Sequence, residues 1–192
     1  MSREFWRLFI GCFVRSEKLT AGYHQLATLC SPWCHAKWVE PDKLHFTLIF
    51  LGEVPYSSIP RLFEAIGPLL HEYVSPLSFS GIDVFPNWRV PRVLYIRVIN
   101  PDKRLWDIYQ HLQRLLAPVG LSQQERHPFT PHITVARLKQ VPAPEQLRRV
   151  LLPYRQHDFG SMETFRPVLI RSVLTTGGPH YSIVSPDTFP PL

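Results

Sequence analysis

LHFTLIFL (residues 44–51) and PHITVARL (residues 131–138) repeat one phrase: a histidine, an apolar residue and a threonine inside a run of strand-forming residues. Side chains alternate across a strand, so a histidine and a threonine two positions apart share a face. In the first stretch Leu44, Phe46, Leu48 and Phe50 fall on one side, while His45 and Thr47 lead the other, continued by Ile49 and Leu51. In the second, Ile133 and Val135 form an apolar back, and His132, Thr134 and the small Ala136 form the front. Such period-two patterning predicts strands with an apolar back and a polar front. If both fronts line one cleft, two imidazoles and two hydroxyls converge there.

The flanking sequence supplies elements around each copy. FWRLFIGCFV (5–14) reads as a strand, and 16–30 as an amphipathic helix with Leu19, Tyr23, Leu26 and Leu29 at helical spacing. Trp38 and Val39 lead into the first histidine strand, which Gly52 is expected to end. From Ile59 to Tyr73 the pattern is helical, with Gly67-Pro68 expected to kink or split it. Strands follow at 77–85 and 92–99, then a helix at 102–117, the second histidine strand at 132–138, a helix from Pro144 to about Leu152, and strands near 166–174 and 180–184. Each half of the chain thus carries strands, helices and one His-x-Thr-x strand. Beyond these motifs the halves do not align by eye.

Composition bounds the function. The chain has 192 residues, 45% hydrophobic and 19% charged, which is ordinary for a globular protein able to bury a core without staples. Its 20 prolines are scattered at turn-like places and do not form a disordered tract. A net charge of +6 with no basic tail favours an anionic partner met on a folded surface. No apolar run approaches a membrane span, and the apolar N-terminal stretch is short and interrupted by Arg7. Three cysteines, Cys12, Cys30 and Cys34, are too few and odd in number for a disulfide scaffold and point to a reducing, cytoplasmic setting. Cys30, Cys34 and His35 lie close in sequence, but zinc wants about four ligands and no second cluster is present, so buried thiols are expected.

Two histidines delivered on strands suit acid/base chemistry, because imidazole titrates near neutrality and one ring can accept a proton while the other gives one. Flanking a phosphodiester, they would deprotonate water on one side and protonate the leaving oxygen on the other, with no metal or cofactor required. The threonine hydroxyls would hold non-bridging phosphate oxygens. The pattern itself does not say which imidazole gives the proton.

These motifs, together with RLFIGCFV (7–14), KWVEPDKLHFTLIFLGEV (37–54), GIDVFPNWRVPRVLYIRV (81–98), ERHPFTPHITVARL (125–138) and GPHYSIV (178–184), resemble the two-histidine phosphoesterases. The closest resemblance is to the LigT-like RNA 2′,3′-cyclic phosphodiesterases, once called 2′-5′ RNA ligases. The resemblance implies an α+β fold over residues 1–192, a single bilobal domain of two pseudo-symmetric lobes. Each lobe would be an antiparallel sheet lining a central cleft with helices outside. It also implies metal-independent hydrolysis of RNA 2′,3′-cyclic phosphate ends to 2′-phosphates. His45 would be the proton donor, His132 the proton acceptor, and Thr47 and Thr134 the phosphate-binding pair. The expected partner is an RNA or oligonucleotide end, and the expected state a cytoplasmic monomer away from membranes.

Some residues need separate reading. By the same resemblance Arg137 contacts the nucleotide, yet its parity sets it opposite His132, so a cleft role requires a strand end, a twist or a bulge. Arg126 could attract RNA, Phe129 is expected to pack, and His127 and His180 to be surface or structural. Arg171 stands just before a serine where many relatives carry an acid, and Val135 replaces the commoner leucine. Two alternatives share the site: reversible 2′-5′ RNA ligation, and a non-catalytic nucleotide-binding module.

Overall fold

The aromatic and β-branched N-terminal run forms β1 (Phe5–Phe13). Helix α1 (Glu17–Cys30) follows, capped by the Ser16 hydroxyl, which accepts from the Leu19 N–H at 3.4 Å, and Leu19, Tyr23 and Leu26 form its buried stripe. This computed structural model describes residues 4–121, 128–176 and 178–188, so Arg126 and His127 lie outside the described residues. Strand β2 (His35–Trp38) leads to β3 (His45–Pro55), the first histidine strand. Helix α2 (Ile59–Ile66) stops where Gly67-Pro68 was expected to interrupt it, and a short 3-10 turn carries the chain to β4 (Tyr73–Phe85). Then come β5 (Val93–Ile99), α3 (Arg104–Leu116), the second histidine strand β6 (His132–Gln140), α4 (Pro144–Leu151), β7 (Asp158–Phe165), β8 (Val168–Thr175) and β9 (Gly178–Val184). The start of α3 is held by side chains that satisfy its first amides: Arg104 N–H donates to Asp102 at 3.0 Å and Leu105 N–H to Asn100 at 2.7 Å.

The nine strands of the described residues all pair antiparallel, in the order β7-β4-β5-β6-β3-β1-β8-β9, with β2 added alongside the far end of β6. The fold is α+β, as expected. The two expected sheets are the two arms of one sheet, joined where β3 and β6 meet at the single pair Phe46 and Ile133. The arms do not follow the halves of the sequence. One takes β1, β3, β8 and β9 from the two ends of the chain, and the other takes β4 to β7 from its middle. Helices cover the apolar side, α1 against α4 and β7, and α2 against α3. Leu44, Phe46, Leu48, Ile133 and Val135 are all buried there.

Strand register reveals the internal repeat that the motifs alone left unaligned. On β1 and β3, Phe13, Cys12 and Gly11 pair with His45, Phe46 and Thr47. Leu48 is then skipped, and Ile10 and Phe9 pair with Ile49 and Phe50. On β5 and β6, Arg97, Ile96 and Tyr95 pair with His132, Ile133 and Thr134, Val135 is skipped, and Leu94 and Val93 pair with Ala136 and Arg137. Each arm therefore has a β-bulge at the residue after its threonine. An extra residue reverses the parity that follows it.

That reversal corrects three expectations. Phe50, assigned to the apolar back, is 52% exposed and lines the cleft, while Ile49 and Ala136, assigned to the fronts, are buried. Arg137 is turned to the cleft by a bulge, one of the irregularities that a place there required. Gly52 does not end its strand. Its φ of 71° accommodates a second irregularity, at Leu51, and β3 runs on to Pro55.

Candidate active site

The antiparallel pair Phe46 and Ile133 joins the central residues of the two His-x-Thr triplets. This register sets His45 beside Thr134 and Thr47 beside His132, all four on the face away from the core. They line a cleft of about 600 Å³ with Arg137, so the structure brings together all five residues singled out from the sequence.

Both imidazoles are held in the same way. His45 Nδ1 lies 2.7 Å from the Lys43 carbonyl and His132 Nδ1 lies 2.7 Å from the Thr130 carbonyl. A carbonyl can only accept, so Nδ1 carries the proton in each ring and Nε2 is the working nitrogen. In the neutral ring Nε2 accepts a proton; in the charged ring it donates one. Aromatic neighbours fix the ring planes: Phe9 and Tyr181 at 5.1 and 5.0 Å from His45, and Phe85 and Tyr95 at 5.0 and 5.1 Å from His132.

The electrostatics follow from burial and from cations. Burial pushes His45 below the ordinary imidazole range, the Lys43 carbonyl opposes this, and the positive charges of His132 and Arg137 depress it further. Burial likewise lowers His132 against the Thr130 carbonyl. Arg7, Lys37, Lys43 and Arg137 line the cleft with Glu40 and Glu53. Lys43 is paired with Glu40 at 2.6 Å, whereas Arg7, Lys37 and Arg137 form no ion pair among the described residues. The cleft is thus built for an anion.

Several residues outside the motif also reach the cleft: Phe9 and Arg7 from β1, Lys37 from β2, and Ser172 and Tyr181, cross-strand partners on β8 and β9. Their signal lay in strand pairing, which joins segments far apart in sequence. Phe129 packs, as expected, stacked on Tyr109 at 4.4 Å, and His180 is exposed. Arg171 lies on the other side of its strand from Ser172, over the Trp6 ring at 3.9 Å and 3.7 Å from Glu4, so its departure in charge does not enter the cleft. All three cysteines are buried and free, with Cys34 Sγ 3.5 Å from the Cys30 carbonyl.

Comparison with known proteins shows the family and the fold. The family model described as the 2′-5′ RNA ligase superfamily matches residues 19–165. An RNA 2′,3′-cyclic phosphodiesterase of Aquifex aeolicus is 32% identical over 179 residues, covering 93% of this chain and 94% of the relative. Its namesake in Methanothermobacter thermautotrophicus is 34% identical over 158 residues, 81% and 83% of the two chains. The crystal structure of E. coli LigT complexed with 3′-AMP superposes with a TM-score of 0.74 at 24% identity, covering 95% of this chain and 97% of that one, and shares the fold.

Proposed function

The chain belongs to the 2′-5′ RNA ligase superfamily, and from that membership and the paired imidazoles we propose that it hydrolyses 2′,3′-cyclic phosphate ends of RNA to 2′-phosphates. The observation that carries this reading is the junction of the two His-x-Thr strands at Phe46 and Ile133, with each Nδ1 tied to a carbonyl. Two histidines, two threonine hydroxyls and Arg137 thus line one cleft.

In this scheme Thr47, Thr134 and Arg137 hold the non-bridging oxygens and balance the charge that develops on the phosphoryl group. His132 Nε2 takes a proton from water as its oxygen bonds to phosphorus. His45 Nε2 gives its proton to the 3′-oxygen as the P–O3′ bond breaks. The product carries a 2′-phosphate and a free 3′-hydroxyl. The histidines end with their protonation exchanged, and solvent restores the starting state. One chain supplies both motifs, so a monomer suffices, and three buried free thiols suit the cytoplasm. Among the described residues no helix is long and apolar enough to cross a membrane.

The test is product analysis on an RNA with a 2′,3′-cyclic end, in EDTA. A 2′-phosphate product is expected, and His45→Ala and His132→Ala should each lower kcat/KM by about 100- to 10,000-fold with the fold intact by circular dichroism. Full activity in either variant would remove the two-histidine scheme. Because a 5′-hydroxyl can replace water as the nucleophile, losing its proton to His132 while the P–O3′ bond breaks and His45 protonates the 3′-oxygen, a 5′-hydroxyl RNA supplied in excess is expected to yield a 2′-5′ joined product at low level.

A further inference from the structure

Tyr181 has no task in the two-histidine scheme, yet it lines the cleft beside His45. Its ring meets His45 edge-on, 5.0 Å between centroids at 80°, and Phe9 likewise at 5.5 Å and 77°. The residue lines the cleft beside its cross-strand partner Ser172. Its hydroxyl has no hydrogen-bond partner among the described residues and, on a half-buried side chain, is open to the cleft. Burial holds the phenol in its neutral, donating form, while the charges of Arg137, Lys43 and Arg7 act on it in the opposite sense and mark its surroundings as positive. A neutral donor without a partner, set among cations and beside the imidazole, lacks only an anionic acceptor.

The internal repeat makes the position more pointed. Thr47 and Thr134 are related by the repeat, as are the two histidines. Tyr181 is not: β7, the outer strand of the other arm, contributes no residue to the cleft lining, and Tyr95 beside His132 is buried and stacked on Phe85 at 4.2 Å. Among the described residues the further hydroxyls of the cleft, those of Tyr181 and Ser172, therefore stand on the His45 side.

We propose that the Tyr181 hydroxyl donates a hydrogen bond to a non-bridging oxygen of the bound phosphate, as a third hydroxyl of the site beside Thr47 and Thr134, while its ring holds the His45 imidazole edge-on. The inference deepens the phosphodiesterase reading and rests on it for the reaction, but it requires only that the cleft bind phosphate. A hydrogen bond to a charged oxygen predicts a loss on the order of 10- to 100-fold when the donor is removed.

The experiment compares wild type, Tyr181→Phe and Tyr181→Leu in three measurements: affinity for inorganic phosphate by calorimetry, kcat/KM on the cyclic-ended RNA, and the His45 titration by NMR. Tyr181→Phe is expected to weaken phosphate binding about 10-fold and kcat/KM by 10- to 100-fold, with the His45 midpoint in the free protein unmoved. Tyr181→Leu should add a shift of that midpoint, because the ring is gone. Wild-type phosphate affinity in Tyr181→Phe, or no phosphate binding by wild type, overturns the proposal. So does a His45 midpoint that moves in Tyr181→Phe as far as in Tyr181→Leu, since the loss would then act through the imidazole. If wild type cleaves no cyclic phosphate but binds phosphate in a Tyr181-dependent way, the reaction reading fails and the hydroxyl's role stands.

Discussion

In the proposed scheme His45 and His132 need one proton between them, and their surroundings disfavour charge on both. Both are depressed by burial, and a charge on His132 further disfavours a charge on His45. With both below the ordinary value of 6.5, the singly protonated pair of the free protein is most populated on the acid side of that pH. The kcat/KM profile is therefore expected to peak below about pH 6.5 and to fall as pH rises. The kcat profile should peak at higher pH, because a bound phosphate anion favours the charged imidazole. The stability consequence has a definite sign. The shifts are downward, so the unfolded chain binds more protons near its own midpoint. Stability is then fully present above about pH 6.5 and declines as pH drops towards the folded-state values. NMR titration of the two rings, with denaturant unfolding at pH 7.5 and 5.5, checks both; folded midpoints at or above the ordinary value would contradict them.

At the scale of the strand, the bulge after each threonine turns an ordinary sheet into a site. Without it Arg137 would face the core and Phe50 would leave the cleft. In the first arm the approach of β1 to β3 just before the bulge depends on Gly11, where an added Cβ would lie 2.7 Å from the Phe46 carbonyl oxygen and 3.3 Å from the Phe9 ring. Backbone cannot yield as a side-chain tip can, so Gly11→Ala should cost about 1–3 kcal/mol, seen as a fall in Tm of roughly 2–10 °C. It should also lower kcat/KM, since the strands that part there carry His45 and Thr47. Gly67→Ala, with nothing within 4 Å of the added carbon, is the matched control and should leave both quantities unchanged; equal effects of the two would mean the Gly11 approach is unimportant. The same bulges mark where sequence reading lost the trail. His45, Thr47, His132 and Thr134 were legible because a repeated phrase on alternating strands needs no knowledge of pairing. Phe50, Ala136 and Arg137 were assigned on unbroken alternation, which an unpaired residue reverses without any local sign. Strand β7 escaped notice because its exposed positions Asp158, Ser161 and Glu163 dilute the two phenylalanines, Phe159 and Phe165, that are buried. Strand β2, at four residues, is too short to show a period.

Across the whole molecule, the repeat lies in space and not in blocks along the chain. The arm holding His45 is closed by β8 and β9 from the C-terminal end, and the arm holding His132 by β4 and β7 from either side of it in sequence. The helices bind the same distant parts, since α1 from the start of the chain packs on α4 and β7. Neither sequence half can build an arm. Residues 1–100 would hold β1 and β3 without β8, and β4 and β5 without β6 or β7, exposing strand edges that the intact sheet pairs. Residues 101–192 would hold β6 with no neighbour from β3 or β5. Each fragment alone is therefore expected to show narrow amide dispersion and no cooperative thermal transition, whereas the full chain melts in one transition that coincides for backbone and aromatic probes. Mixed in equal amounts, the fragments should regain a cooperative transition together with phosphate binding, because only their pairing rebuilds the junction at Phe46 and Ile133. A well-dispersed spectrum from residues 1–100 by themselves would show that an arm is self-sufficient, and the cleft would then be an interface between two units and not the product of one interleaved sheet.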